Sequence, residues 1–536
     1  MTKVFEEQRA AKTAPPESPD LKFLLTAAQA FPKMEELILS ATNSLDLSFH
    51  FFAPDTRVRS KKAKASGFSD WGDLLVDAVA RGVRVRLLIN DFDPVGAPDE
   101  HAQTWRRMND ILQRRDRLPQ QARDNFQVVA GFPGGQSGSI IRTLIWPWVR
   151  QTAADLVAKA KGDLPPGLRA ILDRRGNLRF WPPASNFTQA YHQKFMIADG
   201  DRAIIGGLDV DERRFDTPDH QRPAEQTWHD VDMQISGPPV ADLSVHFEDS
   251  WRTVLTRGFS FGDRPNFPAA TAGPPPERVR TGERVRFVST RAYRTANPFA
   301  FGPRTNYAGI ERAHLDIIGS ARSLIYIETQ FLRSKPIRNA LVAAAAHPSL
   351  HLIVLLPGAP DIVAFTGDRS AVHRYGEWLQ LRALNRLRLV YGNRFSAFCL
   401  TNGKPREERH ERDAINGKAM VYVHSKVLVA DDRTAIVSSA NLNGRSMRWD
   451  FEAGYVLEWP ERAAELRQKL WRQHLGEDLA LEDAAHNPAA AMAAWQNCAA
   501  QRSSDAGQCA GGVVPFPHKK TERFSKRHAF IPSNMV

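Results

Sequence analysis

Two copies of a His-x-Lys-x-x-x-x-Asp pattern, His192/Lys194/Asp199 and His424/Lys426/Asp431, are the residues of this chain best suited to chemistry. An imidazole two positions from an ammonium suits an anionic substrate, because the lysine neutralises phosphate oxygens while the neutral imidazole attacks or transfers a proton. After each lysine the residues are apolar, Phe-Met-Ile-Ala and Val-Leu-Val-Ala, so each copy reads as a buried strand. Positions i and i+2 of a strand face the same way, and each His is expected to project beside its Lys. Downstream come AIIGGLD (203 to 209) and AIVSSANLN (435 to 443). Small residues there let backbone N–H groups, Gly207 among them, approach an oxyanion, and Ser439 and Asn441 carry donors for a phosphoryl oxygen. Asp199 and Asp431 lie too far along an extended strand to reach the same phosphate, so a structural part is expected of them.

The elements that must position these groups occur twice in the same order. A helix-period segment leads into a strand at MEELILSATNSLDLSFHFF (34 to 52) and again at AHLDIIGSARSLIYIETQFL (313 to 332). Second strands follow at VRVRLLI (83 to 89) and LHLIVLL (350 to 356), and the His/Lys segments come third. Such β-branched and Leu-rich runs fit strands covered by helices on both faces. The expected fold is α/β: two related lobes from an internal duplication, each a mixed β-sheet layered with helices, with the site at their interface. The bounds read as a disordered 1–21, a first lobe over 22–257, a Pro/Gly-rich linker over 258–284, a second lobe over 285–475, and an Ala-rich, basic extension over 476–536.

Composition narrows the class. The 536 residues are 42% hydrophobic and 25% charged, which excludes fibres and wholly disordered chains. No apolar stretch is long enough to span a membrane or serve as a secretory leader, so a cytoplasmic or peripheral membrane location is expected, with export by a signal-independent route left open. A net charge of +12 favours anionic partners without choosing among phosphate, nucleic acid and acidic lipid. Three cysteines are too few for a structural zinc site, although Cys498 and Cys509 lie close enough for one bridge. No carboxylate/His cluster beside either motif has metal-ligand spacing, and neither a metal nor a cofactor is expected.

At these residues the chain resembles the phospholipase D superfamily. YVHSKVLVADDRTAIVSSANLNGRSM (422 to 447) is similar to that family's second signature. YHQKFMIADGDRAIIGGLDV (191 to 210), RFDTPDH (214 to 220) and WHDVDMQISGPPV (228 to 240) resemble the first signature region of its eukaryotic-type members. IYIETQFL (325 to 332) is similar to a segment usually read IYIENQYF, with Thr329 and Leu332 as departures. The resemblance implies a covalent phosphohistidine on His192 as nucleophile, and His424 as the acid that protonates the leaving alcohol and then activates water. Lys194, Lys426, Ser439 and Asn441 would hold phosphoryl oxygens. Asp230 and Glu452 match acidic positions of the family, whose arrangement is crossed: Glu452 would support His192 and Asp230 would support His424. Asp209 stands where many relatives have Asn, and a carboxylate repels phosphate. The eukaryotic lipid-targeting modules, and calcium dependence through them, are not implied.

The function that follows is a phospholipase D acting on phosphodiester lipids at a membrane surface, releasing a head-group alcohol and leaving phosphatidic acid, with transfer to another alcohol open to the same intermediate. It would be a monomer needing no protein partner. Alternatives are a cardiolipin-synthase-like phosphatidyl transferase, which RSMRWDFEAG (445 to 454) also resembles, a phosphodiesterase on nucleic acid, and a membrane-binding scaffold without catalysis. Trp146 and Trp148, flanking Pro147 between Arg142 and Arg150, suit a loop dipping into a lipid interface or, equally, buried packing. HKKTERFSKRH (518 to 528) is a basic segment able to touch anionic lipid or simply to stay solvated.

Overall fold

Apolar strands alternating with helices build two sheets of matching topology. In the computed structural model, which describes residues 19–160, 164–181, 183–184, 186–256, 258–261, 284–410, 412–476, 484–504 and 512–536, the first sheet has seven strands. They are β1 (Leu21–Leu25), β2 (Ser44–Phe49), β3 (Arg84–Asn90), β4 (Phe126–Gly131), β5 (Phe195–Ala198), β6 (Arg202–Gly206) and β7 (Val231–Ser236), ordered β1-β7-β6-β5-β2-β3-β4. The second sheet comprises β8 (Val285–Tyr293), β9 (Arg304–Ala308), β10 (Leu324–Thr329), β11 (His351–Leu355), β12 (Phe395–Pro405), β13 (Ala414–Ile415), β14 (Lys418–Val421), β15 (Lys426–Ala430), β16 (Thr434–Ser438), β17 (Glu452–Leu457) and β18 (Gly512–Pro515). Within it the path β8-β17-β16-β15-β10-β11-β12 repeats the first sheet strand for strand, down to the parallel trio β2-β3-β4 matched by β10-β11-β12.

Helices cover the outer faces. Thr26–Ser40 and Gly309–Ser320 feed β2 and β10, and bury Phe31, Met34 and Ile38 in one lobe and Ile310, Ile317 and Ile318 in the other. On the inner side, Phe195, Ile205 and Met233 of the first sheet share one apolar cluster with Val427, Val437 and Tyr455 of the second. The lobes thus pack sheet toward sheet, and the ends of β5 and β15 arrive at a common seam. Among the described residues no helix is long and apolar enough to cross a membrane.

Several expectations need correction. Each motif His precedes its strand rather than lying in it, because β5 starts at Phe195 and β15 at Lys426. The stretch around Trp146 is no loop: the helix Ser139–Lys159 runs through it with Pro147 exposed, Trp146 buried and Trp148 exposed. Nor is the region after 475 a mere appendage. β18 pairs antiparallel with β12, the helix Pro488–Ser504 buries Trp495 beside Tyr326, and the helix His518–Phe524 buries Phe524. The linker over 262–283, the first 18 residues and Cys509 with its suggested pairing lie outside the described residues.

Asp199 and Asp431 explain the last position of each motif. Both adopt positive φ, 54° and 55°, where the turn after β5 or β15 reverses the chain. Asp199 accepts from the backbone N–H groups of Thr42, Asn43 and Ser44, and Asp431 from those of Arg322, Ser323 and Leu324. Each carboxylate ties the motif strand to the start of β2 or β10. Burial alone would raise the Asp199 pKa, but these N–H donors and Arg202 hold it below the usual value. Because charged hydrogen bonds contribute about 1.5–3 kcal/mol each and are not additive, Asp431→Ala is expected to cost about 2–4 kcal/mol. Asp431→Asn, which keeps an acceptor and tolerates the left-handed backbone, should cost less. Urea unfolding of the two variants measures the difference, and equal stability of Asp431→Ala and the parent would refute the anchoring role.

Candidate active site

The seam is stitched by exchanged backbone hydrogen bonds. His192 N–H donates to the Phe451 carbonyl at 3.0 Å and Phe451 N–H to Ala190 at 2.9 Å. Symmetrically, His424 N–H donates to His229 at 2.8 Å and His229 N–H to Tyr422 at 2.8 Å. Each motif His is therefore held by the other lobe, immediately beside that lobe's acidic residue. His192 Nδ1 lies 2.8 Å from Glu452 Oε1, and His424 Nδ1 lies 2.6 Å from Asp230 Oδ2. A ring whose Nδ1–H donates to a carboxylate keeps its Nε2 lone pair free to attack or accept a proton.

Both lysines are buried against their own histidines. Lys194 Nζ donates to the His192 carbonyl at 2.6 Å and lies 3.7 Å from Asp209 Oδ2, while Lys426 Nζ donates to the His424 carbonyl. Asp209 also accepts from Phe51 N–H at 2.8 Å, so its part is to hold Lys194. Two expected phosphate contacts are otherwise engaged. Ser439 Oγ donates to Glu452 and accepts from Ala453 N–H at 3.1 Å, so it acts through Glu452. Gly207 N–H donates to the Val231 carbonyl at 3.3 Å; a Cβ there would sit 2.1 Å from Asp230 Oδ1, so this glycine makes room for the carboxylate instead of binding substrate. Asn441 differs, since its buried Oδ1 has no hydrogen-bond partner among the described residues.

Burial, then the charges of Lys194, Lys426 and Arg445, hold His192 well below the usual imidazole pKa. Burial, then Lys426, Arg214, Lys194 and His192, do the same to His424. Both rings are neutral at neutral pH, as a nitrogen nucleophile requires. Burial pushes Glu452 up to about 7 and Lys426 down to about 7. An anion entering between the lysines reverses the push on Lys426 and on His424, since an opposite charge favours the protonated form.

Sequence reasoning missed four further residues. The His50 ring centroid lies 4.8 Å from that of His192, and Trp228 lies 4.6 Å from His424 while its Nε1–H reaches Asp230 Oδ2 at 3.3 Å. Arg214 stacks on Trp228 at 3.8 Å, with its buried Nε and Nη1 unpartnered among the described residues, and Arg445, whose charge acts on His192, donates to Asp450 Oδ1 at 3.2 Å. These are single cations and rings without a repeating spacing, although the end of β2 and the segments already singled out contain them. One buried trio of possible metal ligands, His229, Glu328 and His474, lies apart in sequence and has no motif spacing. Glu328 accepts from both rings at 2.8 Å and from the Tyr326 and Ser425 hydroxyls at 2.6 Å each, so its oxygens are saturated by the protein itself.

Residues 315–474 match the family model described as cardiolipin synthase, PLD-like domain. Over 405 residues the chain is 25% identical to Phospholipase D1 of Saccharomyces cerevisiae, a match that covers 57% of this chain and 23% of that protein. With human Phospholipase D1 it is 25% identical over 263 residues, which are 44% of this chain and 23% of the human protein. The chain thus spans about a quarter of the length of these relatives. Among solved structures, the phosphatidylserine synthase of Haemophilus influenzae has the same fold, with a TM-score of 0.51 at 13% identity, covering 94% of this chain and 98% of the other.

Proposed function

From the chain's membership of the phospholipase D superfamily, a phosphodiesterase-type enzyme, we propose that it is a phospholipase D that cleaves glycerophospholipids through a phosphohistidine. The observation that supports this most is the pair of neutral histidines, each backed by a carboxylate from the opposite lobe. His192 Nε2 attacks phosphorus, and the P–O bond to the head group breaks. Once bound phosphate has raised the His424 pKa, Nε2 of that ring takes up a proton from solvent and gives it to the departing alkoxide. Neutral His424 then takes a proton from water, whose oxygen attacks the phosphohistidine, and phosphatidic acid leaves as the P–N bond breaks. Lys194, Lys426 and Asn441 hold the phosphoryl oxygens.

A second reading is favoured by the match to a cardiolipin synthase domain model: the same intermediate passed to an alcohol instead of water. Incubation with mixed phospholipid vesicles and ethanol separates the readings. Phosphatidic acid together with phosphatidylethanol is the expected outcome. Products only when glycerol or another lipid hydroxyl is supplied would favour the transferase, and intact lipid beside cleaved DNA would transfer the assignment to nucleic acid.

A further inference from the structure

Five of the eleven large apolar side chains exposed among the described residues, Ile140, Leu144, Trp148, Phe299 and Phe301, gather around one junction away from the histidines. Ile140, Leu144 and Trp148 recur every fourth residue along the helix Ser139–Lys159, forming one stripe on which Leu144 is 69% and Trp148 72% exposed. Phe180 and Trp181 lie across the helix from this stripe, since Trp146 Nε1–H donates to the Phe180 carbonyl at 2.8 Å and Arg150 lies over the Phe180 ring. Phe299 and Phe301 come from the second lobe, whose Pro298 and Ala300 carbonyls accept from Ile140 and Gly138 N–H. Farther along, the stripe's positions turn polar, at Gln151 and Asp155.

At the start of this helix lies a cavity of about 420 Å³ between the lobes, lined by Ser137, Ser139, Arg142, Arg294, Thr295 and Asn297, with no carboxylate in its lining. Burial and then the Arg294 charge hold the Arg142 guanidinium below its usual pKa. Arg142 Nη1 donates to Gln136 Oε1 at 2.6 Å, but its buried Nε has no partner among the described residues. Two like charges sharing a cavity free of acids call for an anion. Pro298 takes up first-turn N–H groups of the helix, so the attraction rests on the two arginines. The junction adjoins the cleft: Asn186 donates to Ser137 at 2.9 Å, and Gln189, three residues before His192, binds Gly135 N–H and the carbonyls of Ala292 and Trp449.

We propose that this junction is a membrane-docking site separate from the catalytic pair, in which Arg142 and Arg294 hold the phosphate of an acidic phospholipid while the Ile140/Leu144/Trp148 stripe and Phe299 enter the acyl boundary. An anionic bilayer fits because two cations and an exposed apolar stripe that includes Trp148 meet at one helix, the composition that an interface favours. The inference gives the lipid reading its docking surface, yet its test does not depend on turnover. In a His192→Ala background, flotation with vesicles of phosphatidylcholine alone or containing phosphatidylglycerol should show preference for the second. Arg294→Gln and Arg142→Gln should each weaken that binding about fivefold, as expected for one cation at a charged surface. Trp148→Ser, on an exposed position, should weaken binding to both kinds of vesicle. In the otherwise unaltered chain these three substitutions should leave turnover of soluble bis(4-nitrophenyl) phosphate unchanged. Equal binding by Arg294→Gln and its parent, no preference for phosphatidylglycerol, or release from vesicles by millimolar inorganic phosphate would overturn the proposal. So would a dimer that Trp148→Ser converts to monomer, which would make the patch a contact between copies. A chain that docks on vesicles but leaves their lipid intact keeps the docking site and removes the lipase reading.

Discussion

Alanine at His192 is expected to abolish hydrolysis and transfer alike, because without its Nε2 no phosphohistidine forms. His424→Ala should lose about 10²- to 10⁴-fold on natural lipids, whose alkoxide leaving groups need a proton. A nitrophenyl phosphodiester separates the two, since nitrophenolate departs with little acid help. With that substrate the His424 variant should release a stoichiometric burst and accumulate the remaining phosphoryl ester on His192, detectable by mass spectrometry of the peptide that contains it. The His192 variant should give no burst. A burst from it, with label on His424, would reverse the assignment while leaving the site intact.

The buried Glu452 and Lys426 set the second large effect. Glu452 must be ionised to stabilise positive charge on His192, so activity falls as pH drops below its value of about 7. Lys426 must be charged to neutralise phosphate, so activity falls as pH rises past its own value of about 7. The pH profile of kcat/KM, which reports the free enzyme, should be a narrow bell near neutrality. Glu452→Gln should lower kcat about 10³- to 10⁴-fold, by analogy with an orienting carboxylate made neutral elsewhere, and remove the acidic limb. Lys426→Arg keeps the charge at all accessible pH and should flatten the alkaline limb. Limbs unchanged in both variants would assign them to other groups.

The doubled His/Lys pattern and the repeated helix–strand order were legible because duplication writes the same spacing twice, and the two sheets follow that order strand for strand. The crossing of Glu452 and Asp230 was accessible only through family resemblance, since a contact across 260 residues leaves no local period. Ser439 and Gly207 were read as phosphate contacts because their chemistry permits it, and sequence does not say that a carboxylate takes up the hydroxyl or the space. The helix Ser139–Lys159 hid behind Pro147, a local breaker that an exposed helix accommodates. β18 was missed because four residues carry too little periodicity to announce a strand.

The crossed carboxylates also set when the paired site can first be complete during synthesis. Glu452 follows His192 by 260 residues, about 13–52 s of synthesis at roughly 5–20 residues per second. Through that interval the first lobe can complete its sheet, which ends at Ser236, while His192 has neither its orienting carboxylate nor Lys426 beside it. Asp230, in turn, waits 194 residues for His424. A nascent or truncated chain therefore carries a reactive-looking histidine that is chemically unarmed, and arming coincides with closure of the seam between the lobes.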